Sequence, residues 1–379
     1  MPYLTHEFSK FPKGIPSSHY ATMLFNPRVW TSKAFVWACI ILSAVPILLF
    51  WHRDAIGDFS VPYARPRPQI TPQFVASGDS KCLPEVPQQL FEEAVHKHAI
   101  CRKHSPFVTG KARVATVTAH FGEPQEHWQK AFRTHLLHSL IHGTEVRVLC
   151  NAIVDDLWNK PAFILDLLMQ EMMKPANKRL EWIQWVDRDT LILDQCRPIT
   201  NFLPPDRPRF ESWWERDQTQ QDNSTNLLVN NDLNGLNNGV FLLRVGHWAI
   251  ELFTAILAFR HYKPEVELPF TEQSAMEHVL NTPQFKEQTR FVPQHWFNAY
   301  ENGGPLLFEE REDAEGMEEN QARRGDYLVH FAGNTDKRTA IEEWTTMLDR
   351  LDDVWERGNV LRDVTGEIET FWLGLGFKR

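Results

Sequence analysis

None of the five cysteines, Cys39, Cys82, Cys101, Cys150 and Cys196, stands in Cys-x-x-Cys spacing, which argues against a structural zinc site. Neither G-x-G-x-x-G nor G-x-x-x-x-G-K-[ST] occurs, so the dinucleotide fingerprint and the nucleotidase-type phosphate loop are both missing. Basic excess is absent too. Forty Lys and Arg face 49 Asp and Glu, a formal net charge of −9, and no positive field exists to draw a nucleic-acid partner. Nor is there a cleavable signal peptide, which would show a shorter apolar core close to Met1 and a small-residue cleavage site. What the chain does have is 42% hydrophobic and 12% aromatic residues over 379 positions, enough for one α/β body with extensions. Its 16 histidines titrate near neutrality and would lessen the negative charge in an acidic compartment.

One long apolar run stands out, Ala34–Trp51, with no charged residue. At ~1.5 Å per residue it spans close to the hydrocarbon core of a bilayer, with Trp30, Trp37 and Trp51 near the interfaces. Basic residues precede it and mixed charge follows it, which places the N-terminus in the cytosol and the rest in a lumen. The organisation expected is a cytosolic tail over 1–33, a transmembrane signal anchor over 34–51, a Pro-rich stem over 52–110, a folded domain over 111–345, and a C-terminal helix and tail over 346–379. In an oxidising lumen a Cys82–Cys101 bridge is conceivable, while Cys150 and Cys196 follow apolar runs and read as buried thiols. Asn223-Ser224-Thr225 would then be a glycosylation acceptor.

The body opens with β-branched Arg113–Thr118, followed by helical spacing at Trp128, Phe132, Leu136 and Leu140. A strand at Glu145–Cys150, a helix at Pro161–Met173 and a strand at Trp182–Val186 come next. Strand, helix, strand, helix, strand implies parallel strands with right-handed crossovers, and ligands bind such sheets beyond the strands' carboxyl ends. There stand Asp187 and Asp189. Read as extended backbone, the pair points to one face and Arg188 to the other, an arrangement suited to a hard divalent cation. Later segments read as an irregular polar run over Gln218–Asn238, a strand over 237–244, helices from 248 and 272, an acidic solvated loop over 306–325, a strand at Tyr327–Gly333, and a helix over Thr339–Arg357.

Five segments together resemble glycosyltransferase family 34, the group of fungal α-galactosyltransferases and α-1,6-mannosyltransferases and plant xyloglucan xylosyltransferases. They are Trp-Val-Asp-Arg-Asp-Thr-Leu-Ile (185–192), Asn-Asn-Gly-Val-Phe-Leu-Leu-Arg (237–244), Glu-Gln-Ser-Ala (272–275), Val-Pro-Gln-His-Trp-Phe-Asn-Ala-Tyr (292–300) and Val-His-Phe-Ala-Gly (329–333). The resemblance implies a GT-A type α/β fold, a mostly parallel central sheet flanked by helices, that binds a nucleotide sugar. It also implies retention of anomeric configuration, Mn²⁺ as cofactor and residence in the Golgi membrane as a single-pass type II protein with a lumenal catalytic domain. Carried over by position, Asp187, Asp189 and His330 are the metal ligands, and Thr118, Asp187 and Asp189 contact the nucleotide sugar. Glu272 and Gln273 lie around the reacting sugar, and Asn237 and Gly239 shape the acceptor side. The donor expected is UDP-galactose or GDP-mannose and the acceptor a glycan or glycoprotein. Where the family has a small residue, an Asp and a Cys, this chain has Arg188, Glu272 and Asn334. Those departures leave room for a weakly active homologue that serves as a partner or scaffold subunit in a homo- or hetero-oligomeric transferase complex.

Overall fold

The computed structural model describes residues 73–78, 82, 84–110, 112–205, 225–301 and 303–377. The apolar run Ala34–Trp51 and the Asn223 triplet's acceptor lie outside these residues. Among the described residues no helix is long and apolar enough to cross a membrane.

A seven-stranded sheet forms the centre. In chain order its strands are β1 (Phe74–Ser77), β2 (Val114–Ala119), β3 (Glu145–Leu149), β4 (Trp182–Val186), β6 (Leu227–Asp232), β7 (Gly235–Arg244) and β8 (Thr289–Phe291), arranged β1-β3-β2-β4-β7-β6-β8. The half β1-β3-β2-β4 is parallel, as the alternation of strands and helices implies. β7 then runs antiparallel to both β4 and β6. Beyond the main sheet lies a smaller one, ordered β5 (Thr190–Ile192), β10 (Leu328–His330) and β9 (Ala299–Tyr300). Because β5 begins one residue after Asp189, the acidic pair is the hinge between the two sheets.

Helices cover both faces. They are α1 (Gln88–His104), α2 (Glu126–His142), α3 (Asn159–Met172), α4 (His247–Tyr262) and α5 (Glu272–Leu280), with the short α6 (Pro283–Lys286), α7 (Gly304–Glu310), α8 (Lys337–Arg350), the short α9 (Val354–Arg357) and α10 (Thr365–Gly374). Strand alternation sorts the core. Val117, Ile183, Trp185, Phe241 and Leu243 pack on α3, α4 and α5. Val114, Trp182, Val186, Val240 and Leu242 face Trp296, Phe297 and Trp372 on the other side. Each side chain in those two sets is nearly or fully buried, so the sheet reads as continuous apolar runs.

Five expectations need correction. The body starts before residue 111: β1 pairs with β3, and Leu90 and Ala94 of α1 pack on Phe132, Leu136 and Val148, so the expected stem contributes a strand and a helix. Cys82 and Cys101 do not bridge each other. The disulfides are Cys82–Cys150 and Cys101–Cys196, which staple this N-terminal layer to the ends of β3 and β5. The polar run over 218–238 contains β6, whose Leu-Leu-Val-Asn-Asn-Asp lacks alternation because its apolar residues are buried on both faces. The acidic stretch over 306–325 is not simply solvated, since α7 buries Phe308 and the loop buries Ala322 and Arg324. The C-terminal helix also breaks after Arg350, where Asp353 accepts from the N–H groups of Trp355 (3.0 Å) and Glu356 (3.3 Å) to cap a new turn.

Buried histidines sit between this layer and the core. Burial pushes His120 down to about 3 and His135 to about 4, and holds His138 well below the usual histidine range. Burial also pushes Asp194 and Asp326 up to about 6. Below pH 6.5 the unfolded chain protonates these three histidines and His142, which burial likewise lowers to about 4, while the fold keeps them neutral, so stability falls as pH drops. Below about 6 the two aspartates oppose this, taking up protons in the fold before the unfolded chain does. The histidines outnumber the two aspartates, so stability should still fall as pH drops between 6 and 4. Chemical denaturation at pH 7, 6 and 5 checks the sign.

Candidate active site

The carboxyl ends of β2 and β4 open into a cleft of about 870 Å³ whose wall includes Ala119, Lys160, Trp185, Asp187, Arg188, Asp189, Asn237, Asn238, Gly239, Glu272, Gln273, His330 and Lys337. Asp187 and Asp189 reach it differently from the extended reading, because residues 187–189 form a turn between β4 and β5. Arg188 is accordingly part of the wall rather than turned away, with its guanidinium 4.6 Å from the Trp128 ring centroid. The two carboxylates converge nonetheless. Thr190 O–H donates to the Asp187 carbonyl (2.8 Å), and Asp187 N–H donates to the Gly239 carbonyl (2.8 Å), which pins the turn on both sides.

Register delivers the third group. His330 is paired with Thr190 in the antiparallel β5–β10 ladder, and Phe331 N–H donates to the Asp189 carbonyl (3.0 Å). The imidazole is thereby set beside the acidic turn, and donor atoms of Asp187, Asp189 and His330 all lie within 4.8 Å of one another. His330 Nε2 is 3.5 Å from Asp189 Oδ1. The far ring nitrogen, Nδ1, is 2.8 Å from Asn298 Oδ1. Asn298 is fully buried and spends its NH₂ on Asn230 Oδ1 (2.8 Å) and Asn237 Oδ1 (2.9 Å), so its oxygen faces the ring. His330 therefore donates from Nδ1 to Asn298 and directs Nε2 at the acids, the orientation a metal-binding histidine needs.

This network also relocates Asn237 and Gly239. Asn237 lies beneath the ligands, donating to Asp232 Oδ2 (2.9 Å) and to Tyr300 Oη (2.6 Å), and accepting from Gly239 N–H (3.0 Å). Tyr300 O–H donates to Asp232 Oδ2 (2.6 Å), and burial with that carboxylate raises the phenol above its ordinary range. Gly239 is needed for His330: a Cβ there would stand 2.3 Å from its Cε1. Both residues serve the histidine, and their side chains or backbone reach the cleft only as its floor. Thr118 is buried in β2 and its Oγ1 finds no hydrogen-bond partner; Ala119 and Phe121, not Thr118, line the cleft.

Glu272 and Gln273 do enter the cleft, at the first turn of α5. Gln273 Oε1 accepts from Asn238 N–H (3.0 Å), and Glu272 Oε1 lies 3.2 Å from Lys160 Nζ, while Glu272 Oε2 is buried without a partner. Lys160 is one of three residues that spacing and motif did not reveal. It starts α3, just beyond β3, and bonds Asn238 Oδ1 (2.8 Å) and Asp187 Oδ1 (3.2 Å). Burial alone would lower its pKa, but the carboxylates of Asp187 and Glu272 outweigh this and keep it charged. The second is Lys337, at the start of α8, whose ammonium pairs with Asp189 Oδ2. Burial opposes the charge on Asp189, yet His330 and Lys337 hold that carboxyl well below its usual range. Asn298 is the third. Only the strand-end rule offered a hint of the lysines, while Asn298 stood within the 292–300 segment with no role assigned to it.

Two substitutions test this arrangement. For the Mn²⁺ that the resemblance implies, Asn298→Ala should leave the fold largely in place and weaken binding by about 10–100-fold, read by calorimetric titration. Gly239→Ala should displace His330 and weaken the ion to a similar degree, with Mn²⁺ electron paramagnetic resonance as the check.

Residues 122–340, more than half of the chain, match the family model for the galactosyl transferase GMA12/MNN10 family. The chain belongs to that family. Among curated proteins it is 26% identical over 173 residues to an uncharacterised α-1,2-galactosyltransferase of Schizosaccharomyces pombe, covering 40% of this chain and 41% of that one. It is 23% identical over 217 residues to the probable α-1,2-galactosyltransferase gmh1 of the same yeast, covering 52% of this chain and 60% of that one. The chain thus spans about half the length of the curated relatives it matches. Among solved structures, a glycosyltransferase involved in glycosylation of the major capsid of PBCV-1 aligns with TM-score 0.43 and 16% identity, over 62% of this chain and 99% of that one. An active-site mutant of LgtC aligns with TM-score 0.34 and 12% identity, over 65% of this chain and 100% of that one.

Proposed function

We propose that the protein is a retaining, Mn²⁺-dependent hexosyltransferase that moves galactose or a related hexose from a nucleotide sugar to a glycan. The observation that carries this reading is the meeting of Asp187, Asp189 and the Nε2 face of His330 in one cleft at the strands' carboxyl ends. Two carboxylates and an imidazole with its lone pair directed inward fit Mn²⁺, which accepts both oxygen and nitrogen ligands. Bound there, the ion would neutralise charge on a diphosphate leaving group. The activity named for the two yeast relatives, α-1,2-galactosyl transfer, favours galactose as the sugar.

The chain's own residues supply the rest. Lys160 and Lys337 hold two ammonium charges at the cleft wall, where a departing diphosphate gathers negative charge. Glu272 Oε2, buried and unpartnered, is a hydrogen-bond acceptor waiting for a sugar hydroxyl. Gln273, fixed by Asn238, offers its amide N–H₂ beside it. In the transfer itself the bond from the anomeric carbon to phosphate oxygen breaks. The acceptor oxygen bonds to the same face of that carbon, and its proton passes to the departing phosphate oxygen. Positioning and charge stabilisation are then the protein's share. The two disulfides and the Ala34–Trp51 run support a type II protein of the Golgi membrane with its catalytic body in the oxidising lumen.

Thermal denaturation with UDP-galactose and with GDP-mannose, each with and without Mn²⁺, tests the reading. A donor at 100 times its dissociation constant should stabilise by about 2.7 kcal/mol, and only when Mn²⁺ is present. Absence of any Mn²⁺-dependent shift would remove it. The Lys337–Asp189 ion pair favours one second reading, a partner subunit whose ion site is occupied by its own lysine. Linkage analysis of a transfer product separates the two.

A further inference from the structure

Asn237 and Gly239 are engaged in supporting His330, and other parts of the cleft wall carry groups that could meet an acceptor. Two backbone anomalies mark a place. Among the described residues, the non-glycine positions with positive φ are Asp156 (47°) and Thr271 (51°), and both line this cleft. Beside each stands a large apolar side chain of the same wall, Leu157 at 54% and Phe270 at 46% exposure. The Lys160–Glu272 ion pair, 3.2 Å long, ties the two segments together.

Both segments are held firmly. The buried Asn159 side chain accepts from the N–H groups of Ile153 (2.7 Å) and Val154 (3.0 Å). It also donates to the carbonyls of Val154 (2.8 Å) and Asp156 (2.7 Å). Arg260 grips Asp155 through two bonds of 2.6 and 2.8 Å. Across the ion pair, Gln273 N–H donates to the Phe270 carbonyl (3.0 Å), closing a tight turn with Thr271 second at φ 51°, ψ −118°. That is the place of glycine in a type II′ turn, and a β-branched residue there is strained. Ser274 Oγ accepts from Phe270 N–H (3.0 Å) and fixes the turn further. Strain and bracing at two lips of one cleft, each presenting an exposed apolar group, mark a preformed binding feature.

We propose that Leu157 and Phe270 form an apolar jaw that grips the C–H faces of a hexopyranose acceptor, with the Asp156 carboxylate and Thr271 hydroxyl meeting its ring hydroxyls. A pyranose offers alternating C–H and O–H surface, which matches apolar groups flanked by polar handles. An anionic ligand is disfavoured at this lip, because the Asp156 carboxylate stands there. The role as acceptor site rests on the transferase reading; the binding of sugar does not.

Saturation-transfer NMR with methyl α-mannopyranoside, α-galactopyranoside and α-glucopyranoside, in the presence of UDP and Mg²⁺, tests it. The wild-type protein should bind at least one of the three, and Phe270→Ala and Leu157→Ala should each weaken it by about tenfold. Met173→Ala, at an exposed apolar residue outside the cleft, should not. Thr271→Gly should raise the melting temperature while lowering sugar affinity, a combination that general damage to the fold does not give. Failure of the wild-type protein to bind any of the sugars, or unchanged affinity in Phe270→Ala and Leu157→Ala, would overturn the jaw. UDP and Mn²⁺ affinity is measured in parallel: its absence overturns the transferase reading and leaves the sugar result to stand or fall alone.

Discussion

Replacing Asp189 by Ala should lower transfer by about 10³-fold or more and remove measurable Mn²⁺ binding, while the protein still folds. The fold should survive because the structural link at this position is made by backbone, the Phe331 N–H donating to the Asp189 carbonyl. Lys337, left without its partner, has about a third of its side chain exposed (35%) and can turn to water. Asp189→Asn is the companion variant: it keeps the shape and removes the charge, and should lose the ion nearly as completely. Calorimetry with Mn²⁺ and a transfer assay on the same samples make the check. Retained turnover in either variant would take the ion away from this turn.

The second large effect expected is on stability. The Cys82–Cys150 and Cys101–Cys196 bridges close sequence separations of 68 and 95 residues, which on the chain-entropy account stabilise by about 4–5 kcal/mol each. Removing either by paired Cys→Ser substitution should lower the melting temperature by roughly 10 °C. The loss should be felt first in α1 and β1, the layer that both bridges fasten and whose strand is the edge of the sheet. Hydrogen exchange of residues 88–104 in the Cys101→Ser, Cys196→Ser protein would show whether that layer opens ahead of the main sheet. An unchanged melting temperature would mean the layer docks without covalent help.

Much of the parallel half of the sheet was legible because β2, β3 and β4 alternate with amphipathic helices, and periodicity of 2 and 3.6 is what sequence displays best. Asp187, Asp189 and His330 were legible through their segments. Their union depends on the β5–β10 register, which no local pattern encodes. Other features were opaque for definite reasons. β6 is apolar on both faces at one end and Asn-rich at the other, so neither alternation nor turn chemistry identifies it. Disulfide partners are chosen by the tertiary fold, and Cys82 meets Cys150 only because β1 adds to the sheet beside β3. Lys160 looks like any surface residue of a helix start. Its burial follows from Asn238, Asp187 and Glu272 arriving from three other elements. Thr118 and Gly239 show the opposite failure: their segments fit, but one side chain turns into the core and the other position yields space to His330 rather than to a ligand.

β7 runs against its neighbours, and its consecutive residues Asn237 and Asn238 point to opposite partners: the first to Asp232, Tyr300 and Asn298, the second to Lys160, Glu272 and Gln273. A slip of this strand by one position would exchange the two and spoil both halves at once. Descendants of such a protein are therefore barred from reshaping the cleft by sliding the strand. Side-chain replacement is the route left to them, and at Glu272 even that is felt at Asp187, since Lys160 touches both.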